Sequence, residues 1–235
     1  MPAKRLIKLL GKFFAITLPL AQATTASASS FDSDLYTSLA AIAPELSRTV
    51  LKTALKATNC AVSHGTAEPR RLAIIDYSLP STEKRLWIFD LQQRALLLQE
   101  LVAHGRNSGE LSATAFSNTL GSYQSSLGLF VGDESYSGKH GYSLRLDGLE
   151  AGVNDLARER AIVIHGADYV DPGWIDEHGR IGRSLGCPAV PRDAAQQVVD
   201  NLKDGQLIFT YYPDQEWLNS SSYLNCDTPR VAAKH

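Results

Sequence analysis

The chain has 235 residues, 44% of them hydrophobic and 20% charged, with 23 Lys and Arg against 25 Asp and Glu. That length and apolar content suit one domain with a sizeable core and a helical appendage. A formal net charge of −2 argues against a nucleic-acid binder, which needs a clustered basic surface.

The first element is a targeting segment. Lys4, Arg5, Lys8 and Lys12 precede the apolar run Phe13–Leu20, and two A-x-A sites come next, Ala21-Gln22-Ala23 and Ala26-Ser27-Ala28. Basic, apolar and small residues in that order predict a secretory signal peptide over residues 1–28. The apolar run is short of the roughly 20 residues that span a bilayer, so a retained anchor is the weaker reading and no stable membrane insertion is expected. No Cys follows either site, which excludes lipid attachment there. The predicted destination is the periplasm or cell wall.

Residues 29–68 predict a helical pair. Asp32 and Ser33 can cap a short helix carrying Leu35, Leu39 and Ile42; Pro44 should stop it and open a second, with Glu45 in the first turn. Leu46, Val50, Ala54, Ala57 and Ala61 recur at helical spacing, and His64-Gly65 ends the run. From Arg71 the period changes to that of strands. The expected strands are Leu72–Tyr77, Arg85–Asp90 and Ala95–Val102 (a hairpin), Ser126–Val131, Ser143–Leu146, Ala161–His165 and Gln206–Tyr212. Helices are expected only at Gly148–Arg158 and Pro191–Lys203, with Pro191 in the first turn. Between Gly105 and Gly141 the chain is loaded with Gly, Ser, Asn and Thr, and such loops tend to carry function. The fold class is therefore mainly β, with a catalytic domain at 69–213 after the helical pair and a C-terminal tail at 214–235.

Cysteine usage fits an oxidising compartment. The three are Cys60, Cys187 and Cys226, and an odd count there suggests one pair plus one free thiol. Cys187 lies in a Gly-Cys-Pro turn, so the economical bridge is Cys60 with Cys226, tying the helical segment to the polar tail. The alternative is three small buried thiols.

Ser184-Leu185-Gly186-Cys187-Pro188-Ala189, preceded by Ile164-His165-Gly166, is the most informative stretch. Attack by cysteine on a carbonyl needs a thiolate, a base and N–H groups for the oxyanion. Small residues let the chain bend at Cys187, and Pro188, with its fixed φ, stiffens the turn directly after the thiol.

These residues, with Ile181-Gly182-Arg183 before them, resemble the active-site signature of the L,D-transpeptidase family, in its murein L,D-transpeptidase catalytic-domain branch. The resemblance runs from about Arg71 to Pro213 and takes in the hairpin around Trp87. It also includes Ser126-Leu127-Gly128-Leu129-Phe130, which is similar to the family's Thr-Pro-x-Gly-x-Phe strand entry. Leu185 stands where a second histidine is common, Ala189 where Asn or Arg is frequent, and the gap from His165 to Ser184 is slightly long. The resemblance implies a mixed β-sheet or sandwich domain. It implies Cys187 as acylated nucleophile, His165 as base oriented by the Gly166 carbonyl, the N–H groups of Cys187 and Gly186 as oxyanion hole, and Ser184 as a brace. The substrate would be peptidoglycan stem peptides, with 3→3 cross-linking, exchange of the terminal D-amino acid, or hydrolysis as outcomes. No metal and no organic cofactor are implied, and a monomer is expected.

Other chemistries compete with this one. His140, His165 and His178 with Cys187 could be metal ligands, but their spacing fits no zinc motif. His104 and His140 read as structural or substrate-lining. Arg183 is a candidate for gripping a substrate carboxylate; Arg180 and Arg183 could equally be solvated charges. A non-catalytic wall-binding module is the competing class.

Overall fold

A computed structural model describes Met1 and residues 32–226. The expected signal peptide, apart from Met1, and the last nine residues of the tail lie outside the described residues. In the described part, helix α1 (Ser33–Ile42) starts at Asp32, whose carboxylate accepts from the N–H groups of Asp34 and Leu35. Helix α2 (Arg48–Ser63) comes after a turn at residues 44–46, so Pro44 and Glu45 lie before it rather than in its first turn. One face of α2, with Val50, Leu51, Ala54, Leu55, Ala57 and Ala61, is buried in the main core.

The strands are β1 (Arg71–Asp76), β2 (Leu86–Asp90), β3 (Ala95–Glu100), β4 (Gly128–Gly138), β5 (Gly141–Gly148), β6 (Val163–Ala167), β7 (Ala189–Pro191) and β8 (Gln206–Tyr211). They form one eight-stranded sheet in the order β3-β2-β1-β8-β4-β5-β6-β7. The β1–β8 and β6–β7 pairs are parallel and the rest antiparallel. Helix α4 (Ala195–Leu202) packs on β1, β5, β6 and β8, and α2 packs on β1 and β8. Strands β1, β2 and β8 are consequently almost wholly buried and read as near-continuous apolar runs.

The two ends of the sheet approach each other. Just after β3, the Ala103 N–H donates to the Ala189 carbonyl of β7 at 2.8 Å, and Gly105 bridges to Ser184. This curl brings the 103–106 segment against the turn that carries Cys187.

Several expectations are corrected. Residues 149–161 form linked turns, not a helix. Gly152 takes φ +77°, outside the α region, and buried Asn154 turns its amide to the carbonyls of Leu127 and Leu129. Tertiary hydrogen bonds there outweigh an apolar periodicity. Pro191 ends edge strand β7, where its missing N–H is tolerated, and α4 begins four residues later. Helix α3 (Pro172–His178) was not expected, although Asp171 as cap, Pro172 at the start and Gly179 at the end are its signals; it fills the long gap before Ser184. The tail carries helix α5 (Gln215–Ser220), which buries Trp217.

Cys60 and Cys226 are disulfide-bonded with their Cα atoms 5.9 Å apart, and Cys187 is free. The bridge closes a span of 166 residues and ties α2 to the end of the described chain. The described residues contain no helix long and apolar enough to cross a membrane.

Candidate active site

Cys187 and His165 line one cavity of about 460 Å³, together with His140, Tyr169, Arg160 and Arg183 among others. His165 comes from β6, in register with Ala189 of β7, two residues beyond Cys187. Parallel pairing of the two strands is thus what sets the histidine beside the cysteine turn.

The His165 ring is oriented from behind. Its Nδ1 lies 3.0 Å from the Gly166 carbonyl, an acceptor, so Nδ1 carries the proton and Nε2 its lone pair. Among the described residues Nε2 has no hydrogen-bond partner. His140 stacks on it with ring centroids 4.5 Å apart. Burial, His140 and Arg192 hold the His165 pKa below its usual value, partly offset by Gly166, which keeps the ring neutral and able to accept a proton.

The cysteine turn is held by two serines. The Ser184 hydroxyl donates to the Cys187 carbonyl at 2.6 Å and accepts from the Gly186 N–H at 3.1 Å. Ser125 donates to the Gly186 carbonyl at 3.0 Å and accepts from the Gly105 N–H at 3.0 Å. The Ser184 backbone is pinned to His104 and Arg106. Gly186 has φ +124°, and a Cβ there would lie 2.9 Å from the Gln124 carbonyl; the turn requires glycine. The Ser184 hydroxyl thus links the Gly186 N–H to the Cys187 carbonyl within the turn. Gly186 differs from expectation: its N–H is already spent on Ser184.

Cys187 is half-buried, and its Sγ lies 3.7 Å from the Ala161 carbonyl rather than on the imidazole. Burial pushes the thiol pKa up, while the N–H groups of Val163 and of Cys187 itself, and the charge of Arg160, pull it down.

Arg183 lines the cavity, but its Nη1 donates to the carbonyls of Arg106 and Gly109 and to Glu110 Oε1, at 2.9, 3.0 and 2.7 Å. It staples a loop, and its charge is answered by Glu110. His178, a metal-ligand candidate by sequence, stacks on Trp174. His104 is fully buried, receiving a hydrogen bond from Arg85 on Nδ1 and facing the Gly109 carbonyl with Nε2. Arg160 gives no signal in the sequence: it sits in a charged run, Arg158-Glu159-Arg160, that reads as solvated.

Comparison with known proteins identifies the family. Residues 42–211, more than half of the chain, match the family model of the L,D-transpeptidase catalytic domain. Among solved structures, the chain is similar to an L,D-transpeptidase of Mycobacterium smegmatis at 13% identity and a TM-score of 0.38, covering 61% of this chain and 59% of that one. It is similar to L,D-transpeptidase 3 of Mycobacterium tuberculosis at 12% identity and 0.35, covering 61% and 62%. This chain thus spans less than two thirds of each. No curated protein matches the sequence. By the family match over most of its folded part, the chain belongs to the L,D-transpeptidase catalytic-domain family of enzymes.

Proposed function

We propose that the protein is a secreted cysteine transpeptidase of peptidoglycan stem peptides, working through a thioacyl enzyme on Cys187. The observation that carries this reading is a free cysteine and a neutral histidine, the latter with Nδ1 held by its neighbour's carbonyl, in one cavity. His165 Nε2 takes the thiol proton. The sulfur attacks the carbonyl at the L-centre of the donor's diamino acid, and the oxyanion forms beside the Cys187 N–H. Collapse breaks the C–N bond, and the proton passes from His165 to the departing D-alanine amine. An acceptor amine then attacks the thioester, loses a proton to His165, and leaves the product stem joined and the thiol restored. Attack by a neighbouring stem gives a 3→3 cross-link; a free D-amino acid gives exchange.

Secretion is supported by the leader pattern of residues 1–28 and by the Cys60–Cys226 disulfide, a bond of oxidising compartments. The test is to incubate the purified protein with wall fragments and identify products by mass spectrometry. The native chain should yield cross-linked or exchanged stems, and Cys187→Ala should yield none while keeping its unfolding midpoint. Turnover retained in that variant defeats the assignment of Cys187 as nucleophile; water-derived products alone defeat the transferase reading.

A further inference from the structure

A thiol that burial keeps protonated needs positive charge nearby, and a neutral imidazole does not supply it. The charged and titratable groups around the cavity are Arg160, Arg183, His140 and His165, together with Tyr123, Tyr136 and Tyr169. Arg183 is paired with Glu110. Arg192, on the far side of His165, is paired with Asp168. Arg160 is different. Its Nη1 donates to the Ser117 carbonyl and the Ser126 hydroxyl, each at 2.5 Å, and its Nη2 to the Ser122 hydroxyl and the Gln124 carbonyl, at 3.2 and 2.6 Å.

All four acceptors are neutral, so among the described residues the guanidinium is fixed without being neutralised. Its near neighbour Arg158 shows the opposite arrangement, facing Asp133, Glu134 and Asp147. Arg160 also lies against the cysteine turn. Its Nη2 is 3.6 Å from where a Cβ on Gly186 would sit, and the next residue, Ala161, offers a carbonyl 3.7 Å from Sγ.

We propose that Arg160 is a positioning residue whose unpaired charge, fixed by the 117–126 loop, stabilises the Cys187 thiolate across the cavity. The proposal rests on Cys187 being the nucleophile. It gives the loop a definite role, since its serines and carbonyls aim the guanidinium without cancelling it. The charge acts on sulfur before any substrate arrives.

Alkylation of Cys187 by iodoacetamide, in the non-reduced full chain across a pH series, reads the thiolate directly. It needs no turnover, so it can fail while Cys187 still proves catalytic, and the reverse. Arg160→Gln should move the alkylation midpoint up by about one to two pH units. Arg160→Lys should recover most of that shift, because the charge remains. Ser122→Ala removes a neutral acceptor only and should leave the midpoint in place. Arg160→Met serves as the apolar variant if the amide does not fold. An unmoved midpoint in Arg160→Gln or Arg160→Met overturns the proposal. So does an equal shift in Arg160→Lys or Ser122→Ala, since either would make the residue a structural staple.

Discussion

Two buried histidines stand on opposite sides of the cysteine turn, and the contrast between them separates scaffold from chemistry. Behind the turn, His104 has both ring nitrogens engaged, one by Arg85 and one facing the Gly109 carbonyl. Its own carbonyl receives the Ser184 N–H at 3.0 Å. In front, His165 has Nδ1 engaged and Nε2 facing a cavity. Both lose basicity through burial: His104 falls to about 4 with Arg85 as second cause, and His165 shifts in the same direction. A full set of hydrogen bonds makes the first a fixed wall. The spare nitrogen of the second can take and return a proton.

The largest effect that would sharpen this contrast is on rate. A carbapenem carries a strained acyl bond that the proposed Cys187 thiolate would attack, and in His165→Ala formation of that covalent adduct should slow by about 10²–10⁴-fold, the usual worth of a positioned base. Its unfolding midpoint should barely change. Mass spectrometry over a time course reads the adduct, and an undiminished rate would reassign the base. Arg85→Met should do the reverse. Arg85 is fully buried and donates to the carbonyls of Leu79 and Val102 and to His104. Removing it strands those acceptors at a cost of about 3–5 kcal/mol of stability. Adduct formation, measured where the variant is still folded, should stay within about tenfold of the native rate. A denaturant midpoint equal to the native one would show that the wall is not structural.

How much of this was legible depends on where each signal resides. Local pattern sufficed for the β2–β3 hairpin, for β1, β6 and β8 and for the Asp32 cap, and the odd cysteine count sufficed for the Cys60–Cys226 pairing. Long-range partners did not announce themselves. Gly148–Arg158 has the apolar spacing of a helix, yet Asn154 and Gly152 decide otherwise through contacts with β4 and a positive φ. Neither is visible in a period. The availability of the Gly186 N–H depended on the Ser184 hydroxyl reaching forward two residues to accept from it. Arg158 and Arg160 are indistinguishable in a sequence two positions apart, and only the fold sends one to carboxylates and the other to the cavity. Helix α3 is a different case, because its cap signals stand in the sequence at Asp171, Pro172 and Gly179.

The smallest expected effect is the most specific to His104. Its native pKa of about 4 lies below the ordinary 6.5, so in that interval the unfolded chain binds more protons than the native one. Stability is then fully present above 6.5 and is lost as pH falls toward about 4, with a limit of about 3 kcal/mol. Other groups titrate nearby. Glu150, buried and receiving Ser221, Leu129 and Trp217, has its carboxyl raised by burial. Its sign is opposite: the native state holds the extra proton, and stability falls as pH rises through its window. The paired carboxylates Asp90 and Asp133 are lowered and add to the acid-side loss. A difference measurement isolates the histidine. His104→Gln can still accept from Arg85 and donate to Gly109 but does not titrate. Denaturant unfolding of both proteins at several pH values should show the native chain losing more stability than the variant between pH 6.5 and 4. Parallel curves would mean that His104 is protonated in the folded state, and that the wall behind the cysteine turn is held by something other than the Arg85–His104 pair.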